Sequence, residues 1–166
     1  SATGNGYGMG FGPSASDAHV SVPHHADFAP SAFSVEFWAK LDDATTNEWS
    51  TPVAKSTSNQ LNDGWGFYDR QSTGEFTFWV DTYDAHPSPV ASARYVSIPR
   101  PAPGAYHHYV GTLDGETLAL YVDGALAGST SAVPLTTPSV APLLFGYGGF
   151  GQSGWPGTVD EVAYYN

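Results

Sequence analysis

The 166-residue chain contains no cysteine, so neither disulfides nor a thiolate metal site can hold it together. Basic residues are nearly as scarce. Five Lys and Arg stand against sixteen Asp and Glu, a formal net charge of −11. That field repels nucleic acid and anionic membrane surfaces, leaving neutral polymers and divalent cations as compatible partners. Charged side chains of both signs make up only 13% of the chain, and much of the surface falls to Ser, Thr, Gly and aromatic residues. Such a composition is common in extracellular proteins that face sugars. No apolar run approaches the ~20 residues that cross a bilayer as a helix. The opening SATGNGYGMG has neither the basic nor the apolar stretch of a secretory signal. The expectation is one domain, residues 1–166, belonging to a larger secreted protein.

Helical periodicity is hard to find. Short β-branched and aromatic runs alternate instead with Gly, Pro, Asn and Asp clusters, the pattern of strands and turns. HVSV (19–22), FSVEFWAK (33–40), WSTPVAK (49–55), GWGFYDR (64–70) and EFTFWVD (75–81) are predicted strands. RYVSI (94–98), YHHYVGT (106–112), TLALYV (117–122), ALAGST (125–130), PLLFGYG (142–148) and TVDEVAYY (158–165) complete the set. In FSVEFWAK, Phe33, Val35, Phe37 and Ala39 share one face, and Ser34, Glu36, Trp38 and Lys40 share the other. A helix has room for one turn at most, in DDATTNEWS (42–50). Roughly a dozen strands with polar turns define an all-β sandwich or barrel.

Two Asp-Gly pairs, Asp114-Gly115 and Asp123-Gly124, mark hairpins, because a type I′ turn needs positive φ at both central residues. Two-residue turns place Tyr109 opposite Leu120 and His107 opposite Val122. His107 and His108 then point to opposite faces and cannot chelate one metal. His107 shares the apolar face with Tyr109, Leu118, Leu120 and Val122 and is expected in the core, neutral and hydrogen-bonded. His24-His25 follows Pro23 and is expected in a solvated loop.

Four segments in order resemble laminin-G-like domains of the concanavalin A-like lectin/glucanase superfamily. They are MGFGPSASDAHVSVP (9–23), FSVEFWAK, YHHYVGTLDGETLALYVDG (106–124), and PLLFGYG followed by WPGTVDEVAYYN (155–166). Tyr106 stands where that family usually has tryptophan, and Gly12 where it usually has aspartate. The resemblance implies a jelly-roll sandwich of two curved antiparallel sheets with neighbouring termini, and a calcium ion near the paired first and last strands. In TVDEVAYY, strict alternation puts Asp160 on a face with Val162 and Tyr164, where a carboxylate needs a cation or strong hydrogen bonds. Asp160 and Asp17, with backbone carbonyls of residues 12–16, are the expected ligands of a structural Ca2+. The alternative is an Asp160 that accepts backbone N–H bonds.

The same sandwich hosts enzymes and binding modules, so fold leaves function open. Retaining glycosidases need two carboxylates about 5–5.5 Å apart, and no strand here carries an E-x-D-x-E arrangement. Arg, His and Tyr for a lyase are present but tied together by no motif. A non-catalytic carbohydrate-binding module fits better, since sugars stack on aromatic rings while nearby polar groups orient their hydroxyls. The chain has five Trp, ten Tyr and nine Phe, more than one core requires. Candidate binding residues in or beside the predicted loops are Trp65, the rim of Tyr83, Asp84, His86 and Arg94, and Tyr147, Phe150 and Trp155 of the glycine-rich GYGGFGQSGWPG (146–157). Trp49 is a further loop aromatic, and Trp155 is better suited to plugging the end of the sandwich. The expected partner is a glycan. An adhesion or structural domain that binds protein is the alternative, and a glycoside hydrolase or polysaccharide lyase the third.

Overall fold

The computed structural model describes residues 8–12, 19–28, 30–42, 48–56, 64–81, 93–131, 139–148 and 154–166. Its strands are β1 (Met9–Phe11), β2 (Val20–Val22), β3 (Phe33–Leu41), β4 (Trp49–Ser50), β5 (Val53–Lys55), β6 (Gly64–Arg70) and β7 (Glu75–Asp81). Then come β8 (Arg94–Pro99), β9 (Tyr106–Leu113), β10 (Thr117–Val122), β11 (Ala125–Ser131), β12 (Leu143–Phe145) and β13 (Gly157–Tyr165). Among the described residues the one helical element is a short 3-10 turn at Ala26–Phe28. No helix among them is long and apolar enough to cross a membrane.

The strands form two antiparallel sheets. One has six strands in the order β1-β13-β3-β9-β10-β11, and the other seven, in the order β2-β12-β5-β6-β7-β8 with β4 added beside β6. Pairing of β1 with β13 brings the first and last strands together. This is the expected jelly-roll sandwich. The alternation of β3 is realised without exception, its odd-numbered residues buried and its even ones half-buried. Ring contacts from both sheets fill the space between. Phe37 meets Phe67 edge-on at 4.9 Å, Phe67 stacks on Phe78 at 4.5 Å, and Phe76 lies 4.4 Å from Tyr109. Gly111 of β9 is required at this approach, because a Cβ there would lie 2.6 Å from the Phe67 ring and 2.8 Å from Phe78. Each buried ring contributes on the order of 2–3 kcal/mol through the water-exposed area it loses.

Three local expectations change. The second Asp-Gly pair makes the two-residue turn, with φ of 52° at Asp123 and 80° at Gly124 between paired Val122 and Ala125. The first does not. Leu113 pairs with Leu118, and the Asp114 carboxylate accepts the N–H groups of Glu116 (2.9 Å) and Thr117 (2.7 Å), widening the loop to four residues. Pairing therefore moves by two residues, Val122 standing opposite Tyr109, and the faces are preserved.

His107 does lie on the core-facing side, across from Ala39, but at the sheet's end. Its side chain is 21% exposed, with Nδ1 2.7 Å from the Asp123 carboxylate. It is a rim group rather than a core one. His24 and His25 are exposed, as expected, and His24 Nδ1 sits 3.2 Å from the Lys55 ammonium.

The third change is at Asp160. A bulge between Asp160 and Ala163, with φ of 48° at Glu161, breaks the alternation of β13. Asp160 faces outward opposite Trp38, whereas Val162 and Tyr164 pack against the core. The apolar face that strict alternation would give Asp160 does not surround it.

Candidate functional site: the outer face of the seven-stranded sheet

In β6, β7 and β8 one parity supplies the core: Trp65 and Phe67, then Phe76, Phe78 and Val80, then Val96 and Ile98. The other parity makes the outer face, and strand register fixes its layout. Gly66, Trp79 and Tyr95 form one row; Tyr68, Thr77 and Ser97 the next; Trp49, Arg70, Glu75 and Pro99 the third. Asp81 lies at the far end, opposite Gly64.

The floor of this face is deeply buried. Trp79 is 1% exposed, although it points away from the core. Its indole lies against Gly66, where a Cβ would come within 3.0 Å of Nε1, and glycine gives it room. Thr77 and Asp81 are equally buried, and Thr77 Oγ1 is 2.8 Å from Ser97 Oγ. Around the floor stand half-buried rings: Tyr95, Tyr68 and Trp49. They run diagonally across β8, β6 and β4. Tyr95 to Tyr68 spans two strands and one row, roughly 12 Å from sheet geometry, and Tyr68 meets Trp49 at 5.1 Å.

Burial raises the Tyr68 hydroxyl pKa, offset in part by its hydrogen bond with Thr77. The Tyr95 hydroxyl is pushed up to about 12 by burial, then by Tyr68 and Asp81 nearby. Both phenols are therefore neutral donors and acceptors at physiological pH.

At the β4 end the Arg70 guanidinium lies 4.6 Å over the Trp49 ring. Glu48 fixes it with a 2.9 Å ion pair and also accepts the N–H (3.0 Å) and hydroxyl (2.5 Å) of Ser72. Those Ser72 hydrogen bonds, then Arg70, hold the Glu48 carboxyl below its ordinary range. Under the face, Asp69 is fully buried on the core side, with Arg100 Nε 2.8 Å from Oδ1. Burial pushes its carboxyl up to about 6, against the pull of Arg100.

The loop aromatics expected from the sequence distribute differently. Trp65 is a correction. It lies in β6 and is 2% exposed, packed with Phe33 (5.4 Å) and Tyr164 (5.8 Å), so no ring face is left for a sugar. Trp155 is another. It is 1% exposed, with Nε1 donating to the Lys40 carbonyl, and serves as the plug. Arg94 sits at the start of β8 on the core-facing parity, opposite Val80, away from the Tyr95 face. Tyr147 is half-buried, its ring 5.5 Å from His19 at the β2–β12 edge. Tyr83, Asp84, His86, Phe150 and Asp17 lie outside the described residues.

Among the described residues no three His, Asp or Glu side chains converge as a metal site. Asp160 Oδ1 accepts the Glu161 N–H at 2.9 Å. One carboxylate does not supply the six to eight oxygens calcium takes, so the described residues alone do not fit the ion.

Comparison with known proteins now places the chain. The family model for the concanavalin A-like lectin/glucanases superfamily, of laminin G type, matches residues 14–166. The chain belongs to that family. Domain 4 of AbnA, a GH43 extracellular arabinanase from Geobacillus stearothermophilus solved with arabinotriose, superposes with a TM-score of 0.65 at 17% identity. That match covers 89% of this chain and 66% of the other. The binding domain of botulinum neurotoxin DC in complex with SialylT gives 0.68 at 14% identity, over 92% of this chain and 37% of the toxin chain. The binding domain of Paraclostridial mosquitocidal protein 1 gives 0.68 at 15%, over 93% and 39%. This chain thus spans about two thirds of the first and under half of the others. A search of curated proteins found no match.

Proposed function

We propose that the chain is a non-catalytic carbohydrate-binding module of a larger extracellular protein, and that it holds a glycan on the outer face of its seven-stranded sheet. The observation that carries this reading is the diagonal of Tyr95, Tyr68 and Trp49 above a floor of Trp79, Thr77 and Asp81. Sugar rings present apolar C–H faces that stack on such aromatic rings, and the Ser97, Tyr68 and Tyr95 hydroxyls lie within the same rows to meet their hydroxyls. Glu75 and Asp81, the carboxylates of β7 on this face, are six residues apart, about 20 Å of strand. That separation suits neither glycosidase mechanism. The ligands in the names of the arabinanase domain and the neurotoxin domain, an arabinose trimer and SialylT, are consistent with a glycan partner.

The test is a glycan array with isothermal titration on the best ligand, arabinotriose being the first soluble probe. The double variant Tyr68→Ala/Tyr95→Ala is expected to weaken binding at least tenfold while remaining folded. Unchanged affinity in a folded double variant would remove this face from the function. Shortened oligosaccharides in the incubation would make the protein a hydrolase or lyase instead.

A further inference from the structure

The outer face of the six-stranded sheet carries a second set of rings and polar groups. Glu36 and Trp38 of β3 stand beside Val110 and His108 of β9 and beside Ala163 and Asp160 of β13. The Trp38 and His108 rings lie 5.1 Å apart at 30°, close to stacked. His108 Nε2 is 3.1 Å from Glu36 Oε2, and the Tyr165 hydroxyl donates to Glu36 Oε1 at 2.6 Å. Both oxygens of that carboxylate are engaged, so Glu36 locks the His108 and Tyr165 rings in place.

Tyr165 also lines an open cleft of about 280 Å³ with Ser34, Thr112, Asp114 and Asn166. From Ser34 to Trp38 the strand runs roughly 14 Å, the reach of a short oligosaccharide. The cleft and the stacked rings are thus two ends of one surface along β3.

We infer that this surface is a second glycan site, independent of the first, which takes a neutral oligosaccharide with one sugar ring over Trp38 and its other end in the Ser34–Thr112–Tyr165 cleft. Charge decides the class. Of the five Lys and Arg in the chain, Lys40 alone belongs to this sheet, and Asp42 engages it at 2.8 Å. Asp160, Glu36 and Asp114 lie along the same surface, so an acidic glycan would be repelled.

Packed sheets lie about 10 Å apart and each outer face stands beyond that, so a short ligand cannot bridge the two sites. Two sites on one module let a single domain hold two strands of a polysaccharide, and linked sites raise avidity. The inference shares with the proposed function only its ligand class.

Indole N–H resonances separate the two readings. Trp65, Trp79 and Trp155 are buried, while Trp38 and Trp49 are half-buried, one on each face. The protein is titrated with neutral trisaccharides (arabinotriose, xylotriose, cellotriose, laminaritriose and mannotriose) and with a galacturonate trimer as the acidic control. The expected result is saturable movement of the Trp38 indole and of the 34–38, 108 and 165 amides with at least one neutral trisaccharide. Trp38→Ala should weaken that phase at least tenfold and leave the Trp49 phase unchanged. Movement at Trp49 alone would overturn the second site and leave the first. Movement at Trp38 alone would support the second site and sink the first, and movement at neither would overturn both. Equal response to the galacturonate trimer would overturn the neutral class. The wild-type titration needs no variant to fold, and Trp38→Phe, expected to keep part of the affinity, covers the case in which alanine destabilises.

Discussion

The two outer faces of this sandwich are built from similar side chains but put them to different physical use. On the seven-stranded sheet the outward Trp79, Thr77 and Asp81 are as buried as the core, and the Tyr68 and Trp49 rings beside them meet edge-on. On the six-stranded sheet the outward Glu36, Trp38 and His108 remain half-buried, held by a carboxylate rather than by close packing. Burial of an outward face costs the hydration of its polar groups, so it persists only where packing and hydrogen bonds offset that loss. One face is therefore a floor that the fold depends on, and the other a surface the fold carries.

Replacement of the two outward tryptophans tests this most strongly. Trp79→Ala removes a fully buried indole and should cost about 3–5 kcal/mol, the range for large core truncations. Trp38→Ala should cost no more than about 1–2 kcal/mol, since its ring is already partly solvated. Urea denaturation of both variants measures the difference. Equal costs would mean that the six-stranded face is structural too, which would break the distinction.

Protonation should separate the sheets next. Asp69, under the seven-stranded face, has a folded-state pKa near 6, above its ordinary value of 3.8. Its ionised form is disfavoured in the fold, so stability should rise as pH falls from about 6 toward 4, by no more than about 2 kcal/mol. Above pH 6 that gain is absent. The carboxylates at the ends of the six-stranded sheet, like Glu48 beside β4, shift the other way. At Asp123 burial raises the pKa, but hydrogen bonds from His107 and the His108 N–H outweigh it. At Asp114 the N–H bonds of Glu116 and Thr117 lower it. Their contribution is present at neutral pH and lost as pH falls below the ordinary carboxylate range. Asp69→Asn should flatten the stability profile between pH 4 and 6 and leave the acid limb intact. A profile unchanged by Asp69→Asn would mean that another group titrates there.

A smaller effect concerns the lock on the six-stranded face. Glu36→Gln keeps the shape of the side chain but weakens its hold on His108 and Tyr165, both charge-assisted partners. It should lower affinity at the Trp38 surface about three- to tenfold and change stability by under about 1 kcal/mol. An unaltered Trp38 titration would show that the carboxylate does not position that surface.

Alternation makes both faces legible in the sequence, whereas proximity to loops points to other aromatics. Trp65 stands between two glycines and reads as a loop residue, yet it shares parity with Phe67 and so belongs to the core. The same count turns Tyr68, Trp79 and Tyr95 outward once Phe67, Phe78 and Val96 are assigned inward. Other features had no local signal. A non-glycine residue at positive φ, Glu161, reversed the faces of β13, and no residue type announces such a bulge. The widened loop at Asp114 depends on a side-chain oxygen choosing two backbone N–H groups over a tight turn. Lys55 reads as a solvent-facing strand end but is buried, its ammonium donating to the Ser139 and Ala141 carbonyls more than eighty residues away. Its partners come from tertiary packing, which strand patterns do not encode.

The smallest expected effect is that of a chelator. Asp160 lies on the six-stranded face opposite Trp38, so a calcium ion there would make this face, too, part of what holds the fold together. Its Oδ1 already accepts the Glu161 N–H, the alternative that needs no cation. A metal would have to draw most of its oxygens from elsewhere, Asp17 first among them. EDTA is therefore expected to shift the melting temperature by less than about 1–2 °C, below the roughly 2–4 °C that 1 kcal/mol produces in a domain of this size. A larger fall, restored by calcium and abolished by Asp160→Asn, would reverse that conclusion. The carboxylate would then be a ligand, and the six-stranded sheet would owe its closure between β1 and β13 to the ion.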